Sequence, residues 1–73
     1  MDRAIIGPAI TTLLTDIHCR LKDAARIAKA AEACAVAGSI TEAVAVSMDI
    51  EQLVYEAARL QDAASLLNRL SEE

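Results

Sequence analysis

The sequence predicts an all-α protein, an antiparallel two-helix hairpin that we expect to dimerise into a four-helix bundle. Apolar residues recur at spacings of three and four along two long segments, which is the pattern of a helix with one buried stripe. A single Gly38-Ser39 pair separates the two segments. Segments 16–31 and 49–64 share seven identical positions, which indicates an internal repeat of one helix design.

We expect the first helix over residues 8–37. Gly7-Pro8 is typical of a helix start, because the first turn does not need the N–H that proline lacks. Gly38 suits the left-handed position that follows a helix. The predicted seam, meaning the apolar stripe that faces the other helix, has a heptad spacing and consists of Ile10, Leu14, Ile17, Leu21, Ala24, Ala28, Ala31 and Ala35. The apolar residues predicted to flank this seam are Leu13, Ile27 and Cys34.

The second helix is expected over residues 40–70, after a turn at 38–39. Ser39 and Glu42 have the spacing of a capping box, in which each side chain accepts a hydrogen bond from the other residue's backbone. Its predicted seam is again an unbroken heptad pattern and consists of Ala43, Val46, Ile50, Leu53, Ala57, Leu60, Ala64 and Leu67. Residues 1–73 therefore form one helical-hairpin domain, with near-antiparallel helices.

Charged residues follow the same heptads. Glu42, Asp49 and Glu56 recur every seven residues beside the second seam, where charge normally sets partner choice and register. Arg20 on the first helix is predicted to meet Glu56. Lys22 and Lys29 fall on the opposite flank, where we expect them to face a neighbouring subunit or water.

The chain has more apolar surface than one hairpin can bury. Hydrophobic residues make up 55% of the sequence, but sixteen of them are alanines and only 1% of residues are aromatic, so a single hairpin core is thin. Helix two is apolar around most of its circumference, which normally means burial from several sides. We therefore predict an interface with a second copy, or with another protein's helix, formed by Val44, Met48, Val54, Tyr55, Leu66 and Ile27.

The sequence carries few groups with catalytic potential. There is one histidine, and the two cysteines are fifteen positions apart, so neither metal-ligand spacing nor an intrachain disulfide is expected. His18 and Cys19 are adjacent and point to different sides of a helix. A thiol or metal site there is a third hypothesis, ranked below the others. We expect no enzyme activity and no cofactor.

Net charge and hydropathy limit the partners. The formal net charge is −4, which argues against non-specific binding to DNA or to anionic membranes. No run approaches the roughly 20 apolar residues of a membrane span. We expect a cytoplasmic protein with no membrane contact, and nucleic acid is not the expected partner.

The alternative function is a small RNA-binding regulator. Lys22, Arg26 and Lys29 stand at i, i+4 and i+7, which gives helix one a basic stripe about 10 Å long. In outline the chain resembles the small dimeric helical-hairpin RNA binders of plasmid copy control, in architecture alone. The primary prediction is a self-associating protein–protein interaction or scaffold module whose specific role the sequence leaves open.

Overall fold

The computed structural model describes residues 2–72, and they form the predicted hairpin. Helix α1 covers Arg3–Val36 and helix α2 covers Ile40–Glu72. The two helices pack against each other in antiparallel fashion, so that Arg20 lies near Glu56 and Arg3 near Asn68. The Cα atoms form a rod of 54 × 14 × 11 Å.

Helix α1 begins five residues earlier than the sequence predicted. Asp2 is the N-cap, with an extended backbone and a carboxylate oxygen that accepts the Ala4 N–H at 2.9 Å. Pro8 therefore lies inside the helix and not at its start. Because proline has no N–H, the Ala4 carbonyl receives no ladder hydrogen bond from position 8. An Asp cap at position 2 outweighed the Gly-Pro signal at 7–8.

The turn closes as a Schellman motif. Gly38 has a φ of +93°, the left-handed conformation that glycine adopts without steric cost. The Gly38 N–H donates to the Ala35 carbonyl at 3.0 Å, and the Ser39 N–H donates to the Cys34 carbonyl at 2.9 Å. These bonds satisfy the carbonyls at the end of α1, so α2 can begin at Ile40.

The start of α2 departs from the prediction in one detail. The Ser39 carbonyl accepts the Ala43 N–H at 2.9 Å, as expected for the residue that precedes a helix. Among residues 2–72, however, the Ser39 and Glu42 side chains do not form the reciprocal bonds of a capping box. Glu42 lies in the first turn and Arg69 in the last, where each charge suits the helix dipole.

The seam of α2 is the one predicted from the sequence. All eight predicted positions are buried or half-buried, and Ala43, Ala57 and Ala64 are the most enclosed among them. The heptad spacing alone identified this face, because each apolar residue on it is separated from the next by three or four positions.

The seam of α1 is rotated by one position from the prediction at Leu14, Leu21 and Ala28, which are exposed, whereas Ala35 is half-buried as predicted. Ile10, Ile17, Ala24 and Ala31 face α2 as expected. Leu14 and Leu21 do not, since they are 52% and 46% exposed. The positions that alternate with the first four are instead those expected to flank the seam, together with one arginine and one isoleucine from the N-terminal turns: Ile6, Leu13, Arg20, Ile27 and Cys34.

Small side chains dominate the core. Within the described residues, those buried most completely are one isoleucine and five alanines: Ile6, Ala24, Ala31, Ala43, Ala57 and Ala64. Alanine at these positions lets the helices approach closely but removes little apolar area from water. Much of the larger apolar surface is left outside the seam.

Candidate interaction surfaces

The hairpin has two unlike long edges. In an antiparallel pair of heptad helices, the residues that directly precede one set of seam positions lie on one side of the rod, and those that directly follow the alternate set lie on the other side. We call the two sides the acidic edge, formed by Asp16, Asp23, Glu42, Asp49 and Glu56, and the apolar edge, formed by Leu14, Leu21, Ala28, Ile40, Val44 and Val54. The contact between Arg20 and Glu56 shows that the acidic flanks of both helices lie together.

Arg20 links the two helices across the acidic edge. Its guanidinium lies 3.6 Å from the Asp16 carboxylate and 3.8 Å from that of Glu56, so the predicted contact between Arg20 and Glu56 is confirmed. Its Nε atom is buried and has no hydrogen-bond partner, because 3.8 Å is too long for a hydrogen bond. The arginine stem fills a seam position while its charge reaches the edge.

An open groove of about 460 Å³ lies along the acidic edge. Its floor is apolar and its rim is charged, and the lining residues are Asp23, Arg26, Ile27, Ala30, Val46 and Leu53. Ile27, predicted at an intermolecular interface, is thus half-buried in the hairpin and forms a wall of this groove.

The apolar edge combines large side chains from both helices. Leu14 and Leu21 are 52% and 46% exposed, and Val54 on α2 is 47% exposed. Ile40 and Val44 continue the same edge toward the turn and are exposed as well. The edge therefore presents a strip of aliphatic side chains that the hairpin itself leaves about half in water.

The outer ridge of α2, opposite its seam, is more polar than the sequence suggested. The Arg59 guanidinium stacks on the Tyr55 ring, 5.3 Å from the ring centroid, and also pairs with Asp62 at 2.8 Å. One face of the aromatic ring is therefore already covered by a hydrated cation. Met48 is the exposed apolar neighbour of Tyr55 on this ridge.

The six residues predicted for an interface do not share one surface. Val44 and Val54 lie on the apolar edge, and Met48 and Tyr55 lie on the outer ridge. Leu66 is 47% exposed and lies on the side of α2 that adjoins the acidic edge. The residues that sequence reasoning missed are Leu14 and Leu21, which were assigned to the seam. The available signals were Leu13, an apolar alternative beside Leu14, and Arg20, which precedes Leu21 and has acidic partners in Asp16 and Glu56.

The basic stripe of α1 is partly neutralised. Lys22, Arg26 and Lys29 are all exposed, but the Arg26 guanidinium pairs with the Asp23 carboxylate. Within residues 2–72, Lys22 and Lys29 form no ion pair. In that range, two of the three cations therefore have no competing carboxylate in the hairpin, and the third has one.

His18 and Cys19 are both exposed on α1, on different sides of the helix as predicted. No group of three histidine, cysteine, aspartate or glutamate side chains in the described chain is placed to hold a metal ion. Neither helix, over residues 3–36 and 40–72, has a stretch long and apolar enough to cross a membrane.

No protein-family model matches the sequence, and neither the curated proteins nor the solved structures include a significant match.

Proposed function

We propose that this chain is a small self-associating helical hairpin that acts as a protein–protein interaction or scaffold module. One observation carries the proposal: among residues 2–72 the best-buried side chains are mostly alanines, while ten larger apolar side chains remain about half exposed or more. Folded monomers rarely leave so much aliphatic surface in contiguous strips, because its burial against a partner is favourable. A hairpin with a thin core also gains stability from association.

The test is the mass of the purified protein in solution, measured by sedimentation equilibrium over a wide concentration range. We expect a dimer or a higher homo-oligomer at micromolar concentration, and a melting temperature that rises with protein concentration, because association stabilises the folded state by mass action. A folded monomer with a concentration-independent melting temperature would overturn the proposal.

Another protein's helix is the second kind of partner for such a module. The groove beside Ile27 has an apolar floor and the carboxylates of Glu42 and Asp49 along the same edge, which favours a basic amphipathic helix. A synthetic amphipathic helix of leucine and lysine should bind this edge and lose affinity in Asp49→Lys. Equal binding of a peptide with glutamate in place of lysine would exclude this partner class.

The alternative of an RNA-binding regulator has less support. The protein carries a net charge of −4, and Arg26 is engaged by Asp23. Binding through Lys22 and Lys29 would have to weaken steeply with salt, since phosphate contacts release counterions. An RNA affinity that drops at least tenfold between low and physiological salt, and is lost in Lys22→Glu, would restore the alternative.

A further inference from the structure

We infer that the partner of the apolar edge is the apolar edge of a second copy, and that the two hairpins align with their turns at the same end. In this dimer α1 of each copy packs on α2 of the other. The inference rests on the proposed self-association and specifies its surface and its orientation.

The side chains of the apolar edge suit it to pair with a second copy of itself. Leu14, Leu21 and Val54 form an aliphatic strip that can pack against an identical strip around a twofold axis. The acidic edge cannot pair with itself in this way, because it would bring two rows of carboxylates together. The outer ridge of α2 is occupied by the Tyr55, Arg59 and Asp62 cluster. Of the surfaces that the described residues form, the apolar edge alone is long, aliphatic and nearly free of charge.

The orientation follows from the unequal charges of the helices. Helix α1 carries five cations and three acids, a net +2, and α2 carries two cations and six acids, a net −4. Turns at the same end place each α1 beside an α2 of the other copy. Turns at opposite ends would place α2 beside α2, and the two acidic helices would repel each other. The same-end dimer is therefore favoured.

A local charge match supports the same arrangement. Arg20 and Glu56 lie at the same height in the rod, so Lys22 and Lys29 lie near the heights of residues 54 and 47. A twofold axis parallel to the helices keeps these heights, so the two ammonium groups bracket Glu51 of the second copy within about 4–6 Å along the axis. Glu51 is exposed and, within the described chain, forms no ion pair. Such rim pairs select orientation more than they add affinity.

The first experiment measures orientation. Both native cysteines are replaced by Cys19→Ala and Cys34→Ala, and one spin label is attached through Ser39→Cys at the turn. Neighbouring helices in a bundle are about 8–10 Å apart, so turns at the same end should give a label separation below about 30 Å by pulsed electron spin resonance. Turns at opposite ends would put the labels near the 54 Å length of the rod and overturn the orientation. Dilution with unlabelled protein is the control, because it must remove the dipolar signal.

The second experiment tests the edge with variants of matched exposure. Val54 and Leu66 are both 47% exposed, but only Val54 lies on the apolar edge. We expect Val54→Glu and Leu21→Glu to weaken the dimer at least tenfold in sedimentation equilibrium, and Leu66→Glu to change its Kd less than about threefold. Dissociation by Leu66→Glu with an intact Val54→Glu dimer would overturn the choice of edge.

Charge-reversal variants on the surface test the orientation of the dimer even if the edge variants fail to fold. The double variant Lys22→Glu, Lys29→Glu should weaken the dimer several-fold, and Glu51→Lys in the same chain should restore it. Absence of restoration would contradict the same-end dimer. The outcomes are separable: a monomeric native protein refutes the proposed function, whereas a dimer with distant labels or insensitive edge variants refutes only this arrangement.

Discussion

Replacing Arg20 by leucine should stabilise the protein. Arg20 holds a seam position, and its buried Nε has no acceptor, although the guanidinium lies 3.6 Å from Asp16 and 3.8 Å from Glu56. An unsatisfied buried donor costs about 1–3 kcal/mol. The two ion pairs are long and partly exposed, so together they contribute about 0–1 kcal/mol. Leucine fills the place of the arginine stem and needs no hydrogen-bond acceptor. In other proteins, replacing a buried charged group by an apolar group of similar size is often stabilising.

The expected net gain is about 1 kcal/mol, which for a domain of this size raises the melting temperature by about 4–8 °C. The assay is thermal and urea unfolding followed by circular dichroism at one fixed protein concentration. Arg26→Leu is the control, because that side chain is 72% exposed and its loss should change stability by less than about 0.5 kcal/mol.

A double-mutant cycle sharpens the test. Glu56→Gln should destabilise the native chain, because it removes a carboxylate from a partly buried guanidinium. In the Arg20→Leu background the same change should have no effect. A loss of more than about 1 kcal/mol in Arg20→Leu itself would show that the ion pairs outweigh the unsatisfied donor, and the reasoning would be wrong.

Three further substitutions test the backbone and the core by the same unfolding assay. Gly7→Ala should stabilise the protein by about 0.8–1 kcal/mol, because Gly7 is inside α1 and an added Cβ meets nothing within 4 Å; an unchanged midpoint would contradict this. Gly38→Ala should destabilise it by about 1–2 kcal/mol, since the φ of +93° opposes any Cβ although the space is free, and a stabilised variant would refute the Schellman turn. Ala57→Leu should cost about 1–3 kcal/mol by overpacking the seam, whereas the exposed control Ala45→Leu should cost little; equal effects would disprove close helix contact at Ala57.

The hairpin and one of its two contact faces could be predicted from the sequence. On α2 apolar residues such as Val44, Val54 and Leu66 adjoin most seam positions, but the heptad spacing from Ala43 to Leu67 is unbroken, and this spacing identified the face. On α1 the sequence offers Leu13 and Leu14 side by side, and Arg20 beside Leu21. The hydrophobic pattern assigns Leu21, and not Arg20, to the seam. It takes no account of Asp16 and Glu56, whose carboxylates lie near the Arg20 guanidinium at the edge while the arginine stem packs in the seam.

The start of α1 affected the prediction of its seam. A helix that begins at residue 8 leaves Ile6 outside the pattern, whereas the observed helix buries Ile6 to 2% exposure. The four residues Ile6, Leu13, Arg20 and Ile27 are spaced seven apart. A helix that begins at Arg3 includes Ile6 in this series, and the series then indicates which α1 positions face α2. The interaction surfaces depend on this register, because it decides which leucines remain outside the seam.

The alanine core also determines how the fold responds to temperature. Heat capacity rises on unfolding chiefly through hydration of newly exposed apolar surface, and five of the six best-buried side chains here are single methyl groups. An isolated hairpin would therefore have a small heat-capacity increment on unfolding and a flat stability curve. Covering the leucines and valines of the apolar edge would add to this increment, so the curvature of the stability curve would be a property of the assembly and not of the single chain.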